Sequence, residues 1–135
     1  MNVFLPYPDY FKSIKVLDKK RCWKQVVEAK QLIDAILGRG SVSWRKHPAC
    51  KMFIKNVNSL IKYHNICLDY CIKKHNIKVV KRKFIPYVVG SLKNPEWLGD
   101  EEFHKVMRQN LTRKNPVHYG QFWNEEPREG YIWKV

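Results

Sequence analysis

Acidic residues are scarce in this chain: twelve Asp and Glu stand against twenty-six Lys and Arg, for a net charge of +14 over 135 residues. A two-metal nuclease needs several clustered carboxylates for its hard cations, and the few acids here are scattered or sit at helix starts. No apolar run approaches the roughly 18 residues of a membrane span. No hydrophobic segment with a cleavage site opens the sequence, so an intracellular place, cytoplasm or nucleus, is expected, with no membrane partner. Glycine is sparse too, and neither a Walker motif nor GxGxxG occurs, which removes the glycine-rich phosphate loop.

Cysteine is limited to Cys22, Cys50, Cys67 and Cys71, and without a secretory segment reduced thiols are expected rather than disulfides. Cys67, Cys71 and His75, with His64 before them, follow roughly helical spacing. Zinc modules, however, draw ligand pairs from two separate elements. The same positions continue an apolar stripe, and free Cys packs as a small hydrophobe. Core packing is therefore expected, with no metal and no cofactor. Cys and His pairs for nucleophilic catalysis have no spacing that fixes them.

What remains is a basic, aromatic-rich chain of one-domain size, with 44% apolar and 13% aromatic residues. That composition makes a core and excludes a disordered tail. The excess charge points to polyanions, nucleic acid first.

The opening MNVFLPYPDYF reads as an extended strap with a turn at Pro8-Asp9. A first helix is predicted from Lys19 to Leu37, with Asp18 as cap and Ser13 as a rival start. Its later turns are heavily apolar, so the later half is expected to be buried and the earlier half wet. Arg21, Gln25, Glu28 and Leu32 share one face of it. GRGSVSWRKH, residues 38 to 47, is a basic loop carrying Trp44, Arg45, Lys46 and His47. Trp44 either touches nucleic acid or plugs the core. Pro48 opens a second helix running to about His75 on the period of Met52, Phe53, Val57, Leu60, Ile61, Leu68, Cys71 and Ile72. The run after Asn76 is either one short strand or a loop packed on the helices, because no partner strand is evident. Asp100 caps a third helix, Glu101 to Lys114, which buries Phe103, Val106, Met107 and Leu111. The aromatic tail must wrap the helices. The expectation is an all-α fold, one compact domain over residues 1–135 with three main helices wrapped by aromatic-rich irregular segments.

Three phrases together are distinctive: MNVFLPYPDYFKSIKVLDKKRCWKQVVEA, then WRKHP, then WLGDEEFHKVMRQNLTRKNPVHYG. In these the chain resembles the pyrimidine-dimer DNA glycosylase family over nearly its whole length, nearest to a cellular branch with "FLPYPD", "WR.HP" and "L.RK.P.HYG". The resemblance implies a DNA repair enzyme acting on damaged double-stranded DNA, a bifunctional glycosylase and abasic-site lyase. In such an enzyme the N-terminal α-amine attacks C1′ of the damaged nucleotide and forms a Schiff base, and a glutamate of the first helix assists β-elimination. An α-amine, with an ordinary pKa of about 7.7 to 8.0, is roughly 10 to 20% neutral at pH 7, which suits a nucleophile. Glu28 matches the glutamate; its other role is that of a surface acid paired with Lys24. The amine belongs to Met1 if the initiator is retained, as expected before a residue as large as Asn2, and to Asn2 otherwise.

The resemblance further implies DNA contacts by Arg21, Lys24, Trp44, Arg45, Lys46, His47, Arg113, Lys114, His118 and Tyr119, although Tyr119 has packing on helix one as its alternative. Val27, Arg21 and His118 depart from the phage branch, which has Arg, His and Trp there, so another modified base is open as substrate. A monomer is expected. Two competing classes remain: a noncatalytic basic DNA-binding or architectural module, which would bind undamaged DNA without nicking it, and an RNA-binding protein, which would prefer single-stranded RNA.

Overall fold

The computed structural model describes residues 1–40, 42–78 and 82–135. Six helices follow in order among them: α1 (Tyr10–Lys15), α2 (Lys19–Ile36), α3 (Pro48–Phe53), α4 (Val57–Lys74), α5 (Glu101–Lys114) and α6 (Pro116–Tyr119). A 3₁₀ turn, Val42–Lys46, links α2 to α3. No strand occurs among the described residues, and none of their helices is long and apolar enough to cross a membrane. The three long helices, α2, α4 and α5, are those expected from periodicity, and the fold is all-α.

The opening strap turns at Pro8-Asp9 and at once becomes α1, which the sequence reading passed over. Asp9 caps it by accepting from the Lys12 amide at 2.7 Å. Ser13 is buried inside α1, where its hydroxyl donates to Tyr7 O at 2.9 Å and braces the proline turn, so it starts no helix. Asp18 precedes α2 but makes no side-chain cap; its carboxylate is taken by Arg21 and by the Tyr119 hydroxyl. The buried stripe of α2 begins at Cys22 and continues through Gln25, Val26, Ala29, Leu32 and Ile33. The earlier half is therefore buried on one side, not wet throughout. Gly38, at φ +75°, takes the left-handed position just past the helix, where its amide reaches Ala35 O.

The second helix expected from Pro48 to His75 is broken in two. Ile54 to Asn56 leave the helix, and the Asn56 side chain donates to Lys93 O at 3.1 Å. Met52, Phe53, Val57, Leu60 and Ile61 keep helical phase across the break, so periodicity alone conceals it. Helices α2 and α4 form the main layer, with α1 across α4 and α3 beneath. Trp97 packs edge-on to Phe53 and against Phe103, joining α5 to that core.

The run read as strand or loop has Val79, Val80 and Lys81 outside the described residues. From Arg82 onward it is extended chain without a strand partner, and α4 supplies the missing hydrogen bonds. Asn65 accepts from Ile85 N and donates to Ile85 O, both at 2.9 Å. Asn58 does the same for Val88, also at 2.9 Å, and reaches Ser91 O at 3.1 Å. Backbone polar groups that would otherwise be lost to packing are thus satisfied by two amide side chains.

Candidate active site

The first six residues are held down almost atom by atom. Gln25, 1% exposed on α2, accepts from Phe4 N at 2.7 Å and donates to Asn2 O at 3.0 Å. The Tyr63 hydroxyl of α4 bridges Phe4 O (2.9 Å) and Gln25 Oε1 (2.7 Å). Buried His104 of α5 accepts from Gly99 N on Nε2, which leaves its Nδ1 proton for Leu5 O at 2.7 Å. Arg108 donates to Pro6 O at 2.9 Å and pairs with Glu101 and Glu125. Every long helix therefore fixes the strap, and its position is not that of a fraying terminus.

The strap delivers Met1 into a cleft of about 270 Å³, lined by Met1, Asn2, Phe4, Lys20, Arg21, Lys24, Gln25, Glu28, Lys114 and Tyr131. Four cations surround one carboxylate. Glu28 accepts from Gln25 Nε2 at 3.1 Å and from the Asn2 amide at 3.4 Å. Among the described residues it makes no ion pair with Lys24, the partner of the surface-acid alternative. Arg21 is held by Asp18 at 3.1 Å. Burial opposes ionisation of Asp18, but hydrogen bonds from Tyr119 and Arg21 win and hold its pKa below the ordinary value. Lys114 is drawn down by partial burial and by Arg113, Arg21 and Lys24. Such a crowd of cations at a concave wall is an anion site.

His47 lies beside the cleft. Its Nδ1 caps α3 by accepting from Ala49 N at 3.1 Å, and its ring meets Trp44 and Trp133. Burial lowers its pKa, the chain's terminal amine lowers it further, and Glu28 acts the other way. His47 thus feels both the terminal amine and Glu28.

Of the residues named from the sequence, Met1, Asn2, Arg21, Lys24, Glu28 and Lys114 come together in the cleft. Trp44 is half-buried against the core. Arg45 lies over the end of α2, donating to Ala35 O at 3.0 Å, a helix-end carbonyl that needs a partner. Lys46 is exposed. Arg113 leans on Arg128 O and Asn110, and half-buried His118 bonds Val16 O at 2.8 Å. Tyr119 is a correction: it is fully buried, stacked on Trp123, with its hydroxyl given to Asp18. It packs at the start of α2, as its alternative had it, and offers no surface to DNA.

Sequence reasoning missed Lys20, Phe4, Gln25 and Tyr131 as cleft residues. Gln25 was visible as a member of the Arg21 and Glu28 face; Tyr131, arriving from an irregular tail, had no local signal.

The family model for pyrimidine dimer DNA glycosylases matches residues 1–81, more than half of the chain. The chain belongs to this family. It is a DNA repair glycosylase, then, and DNA is its substrate. No curated protein and no solved structure is matched by the glycosylase chain. The matched part holds Met1, Gln25, Glu28 and His47, whereas Lys114 and Tyr131, which complete the glycosylase cleft, come from beyond it.

Proposed function

We propose that this glycosylase cuts the damaged strand with the α-amine of Met1 and the carboxylate of Glu28. The amine nitrogen attacks C1′, the bond from C1′ to the base breaks, and the base leaves. Loss of the amine proton and opening of the sugar ring give a Schiff base. Glu28 then assists removal of a C2′ proton, and the C3′–O bond breaks to release the phosphate-bearing strand. The observation that carries this reading is the hydrogen bond from Asn2 N to Glu28 at 3.4 Å, which sets the acid one residue from the amine.

Lys20, Arg21, Lys24 and Lys114 bind phosphates flanking the lesion, with Arg45, Lys46, Arg113, Trp44, His47 and His118 extending the surface along damaged duplex DNA. The protein works as a monomer and as one domain, 1–135. The participation of Lys114 and Tyr131 in a cleft opened by Met1 supports that unity. Borohydride is expected to trap a covalent adduct on ultraviolet-damaged or abasic duplex, and acetylation of the N-terminus to abolish it. Intact mass identifies the terminal residue. Trapping that survives acetylation assigns the nucleophile to a lysine. Binding without adduct or nicking restores the noncatalytic reading, and trapping only on another lesion moves the substrate.

A further inference from the structure

Outside the cleft, three of the four free cysteines converge. Cys22 of α2 and Cys67 and Cys71 of α4 are each 0% exposed, and their sulfurs all lie within 4.8 Å of one another. Cys22 Sγ is 3.6 Å from Cys67 Sγ and 3.1 Å from Cys71 Sγ. We propose that Cys22, Cys67 and Cys71 are a three-thiolate site for one thiophilic d¹⁰ metal ion, zinc being the physiological candidate, with His75 as the fourth donor.

The sequence argued against zinc because Cys67, Cys71 and His75 lie along one helix. The fold removes that objection, since Cys22 comes from a second element, as structural zinc sites require. Tetrahedral zinc with Zn–S bonds of about 2.3 Å separates its sulfurs by roughly 3.8 Å, so the trio needs only a small outward relaxation. His75, one turn after Cys71 at the end of α4, lies outside the cluster of atoms within 4.8 Å of one another, but it has a buried Nε2 with no hydrogen-bond partner among the described residues, and it becomes the fourth donor by turning towards the sulfurs at the helix end. An unpartnered ring nitrogen in that place can serve as a donor to a Lewis acid. Three thiols give up three protons to solvent when the ion binds, His75 contributes a lone pair, and nothing is oxidised or reduced. The alternative, thiols satisfied by one another and by the backbone, leaves them weak partners: Cys67 Sγ reaches Cys22 O at 3.0 Å, Cys22 Sγ reaches Cys67 O only at 4.0 Å, and the rest are sulfur to sulfur. The ion would staple α2, which carries Arg21, Gln25 and Glu28, to α4.

The full chain, expressed with zinc in the medium and purified under reductant without chelator, is expected to hold about one zinc per chain by plasma mass spectrometry. Cobalt replacement is expected to give thiolate charge-transfer bands. Cys67→Ser is expected to lose the metal and Cys50→Ser, a buried cysteine outside the trio, to keep it. His75→Ala is expected to weaken zinc against a competing chelator about tenfold. Far-UV circular dichroism shows whether each variant folds, and the wild-type metal content stands without them. Metal-free protein both from cells and after refolding with zinc overturns the proposal, as does a disulfide joining Cys22 and Cys71 in its place.

Discussion

Gln25 and Glu28 sit one helical turn apart, and the Gln25 amide holds the Glu28 carboxylate at 3.1 Å while gripping the Asn2 carbonyl at 3.0 Å. One buried side chain therefore sets the spacing between the start of the chain and its acid. Gln25→Leu strands Phe4 N and Asn2 O and takes an acceptor from Tyr63. The expected cost is about 2–4 kcal/mol of stability, measured by urea unfolding. Single-turnover cleavage should fall by about 10²-fold, as expected when a reacting group is misplaced by an ångström.

Glu28→Gln keeps the shape and the hydrogen bond from Asn2 but removes the base. DNA affinity in gel-shift titrations is expected to stay within a few-fold, while nicking falls by roughly 10²- to 10⁴-fold. Undiminished nicking by this variant removes Glu28 from the chemistry.

Binding should weaken steeply with salt, because the cleft cations displace counterions from phosphate. Lys114→Ala is expected to lower the slope of log K against log salt by about 0.9 and to weaken damaged and undamaged duplex alike. An unchanged slope means that Lys114 meets no phosphate.

Tyr119→Phe removes the hydroxyl shared between the Asp18 amide and carboxylate. A loss of about 1–3 kcal/mol is expected by thermal or urea unfolding. Asp18 has a depressed folded pKa, so its contribution is present above its unfolded value, 3.8, and is lost as pH falls through the lower folded one. The variant should therefore show a weaker loss of stability in that acidic range than the parent.

His64 and His104 are fully buried, and burial lowers the pKa of each below the ordinary 6.5. The folded protein then binds fewer protons than the unfolded chain. Their contribution is complete above 6.5 and drains away as pH drops through the folded values. Urea midpoints should fall from about pH 6.5 downward, and His104→Gln should flatten part of that fall. The same protonation would give His104 a second N–H where Gly99 N now donates, loosening the strap at Leu5.

Long periodic elements were legible from the sequence because burial and spacing coincide there, as in α5, where Asp100 accepts from Glu102 N and Phe103 N. Breaks and short turns were not. The helix at Pro48 stops at Ile54 because the Asn56 side chain finds a partner 37 residues away, which no local window contains. Asp18 has the right type and place for a cap, yet Tyr119, 101 residues on, claims its carboxylate. Within the cleft, the helix face read from the sequence held Arg21, Gln25 and Glu28, and the basic run beside it supplied Lys24. Tyr131 and the strap anchors Tyr63, His104 and Arg108 became visible only in three dimensions.

The two asparagines that hold the extended chain after Arg82 also measure it. Asn58 and Asn65 are two turns apart, about 10.5 Å along α4, and the residues they grip, Ile85 and Val88, are three apart, about 9–10 Å of extended backbone. The helix thus acts as a gauge that accepts only one count of residues between its two marks. An insertion or deletion between Ile85 and Val88 must unhook one amide. Asn58 also reaches Ser91 O, so the fully exposed Val89 between Val88 and Ser91 falls under the same tally, and a change of length there would cost that bond.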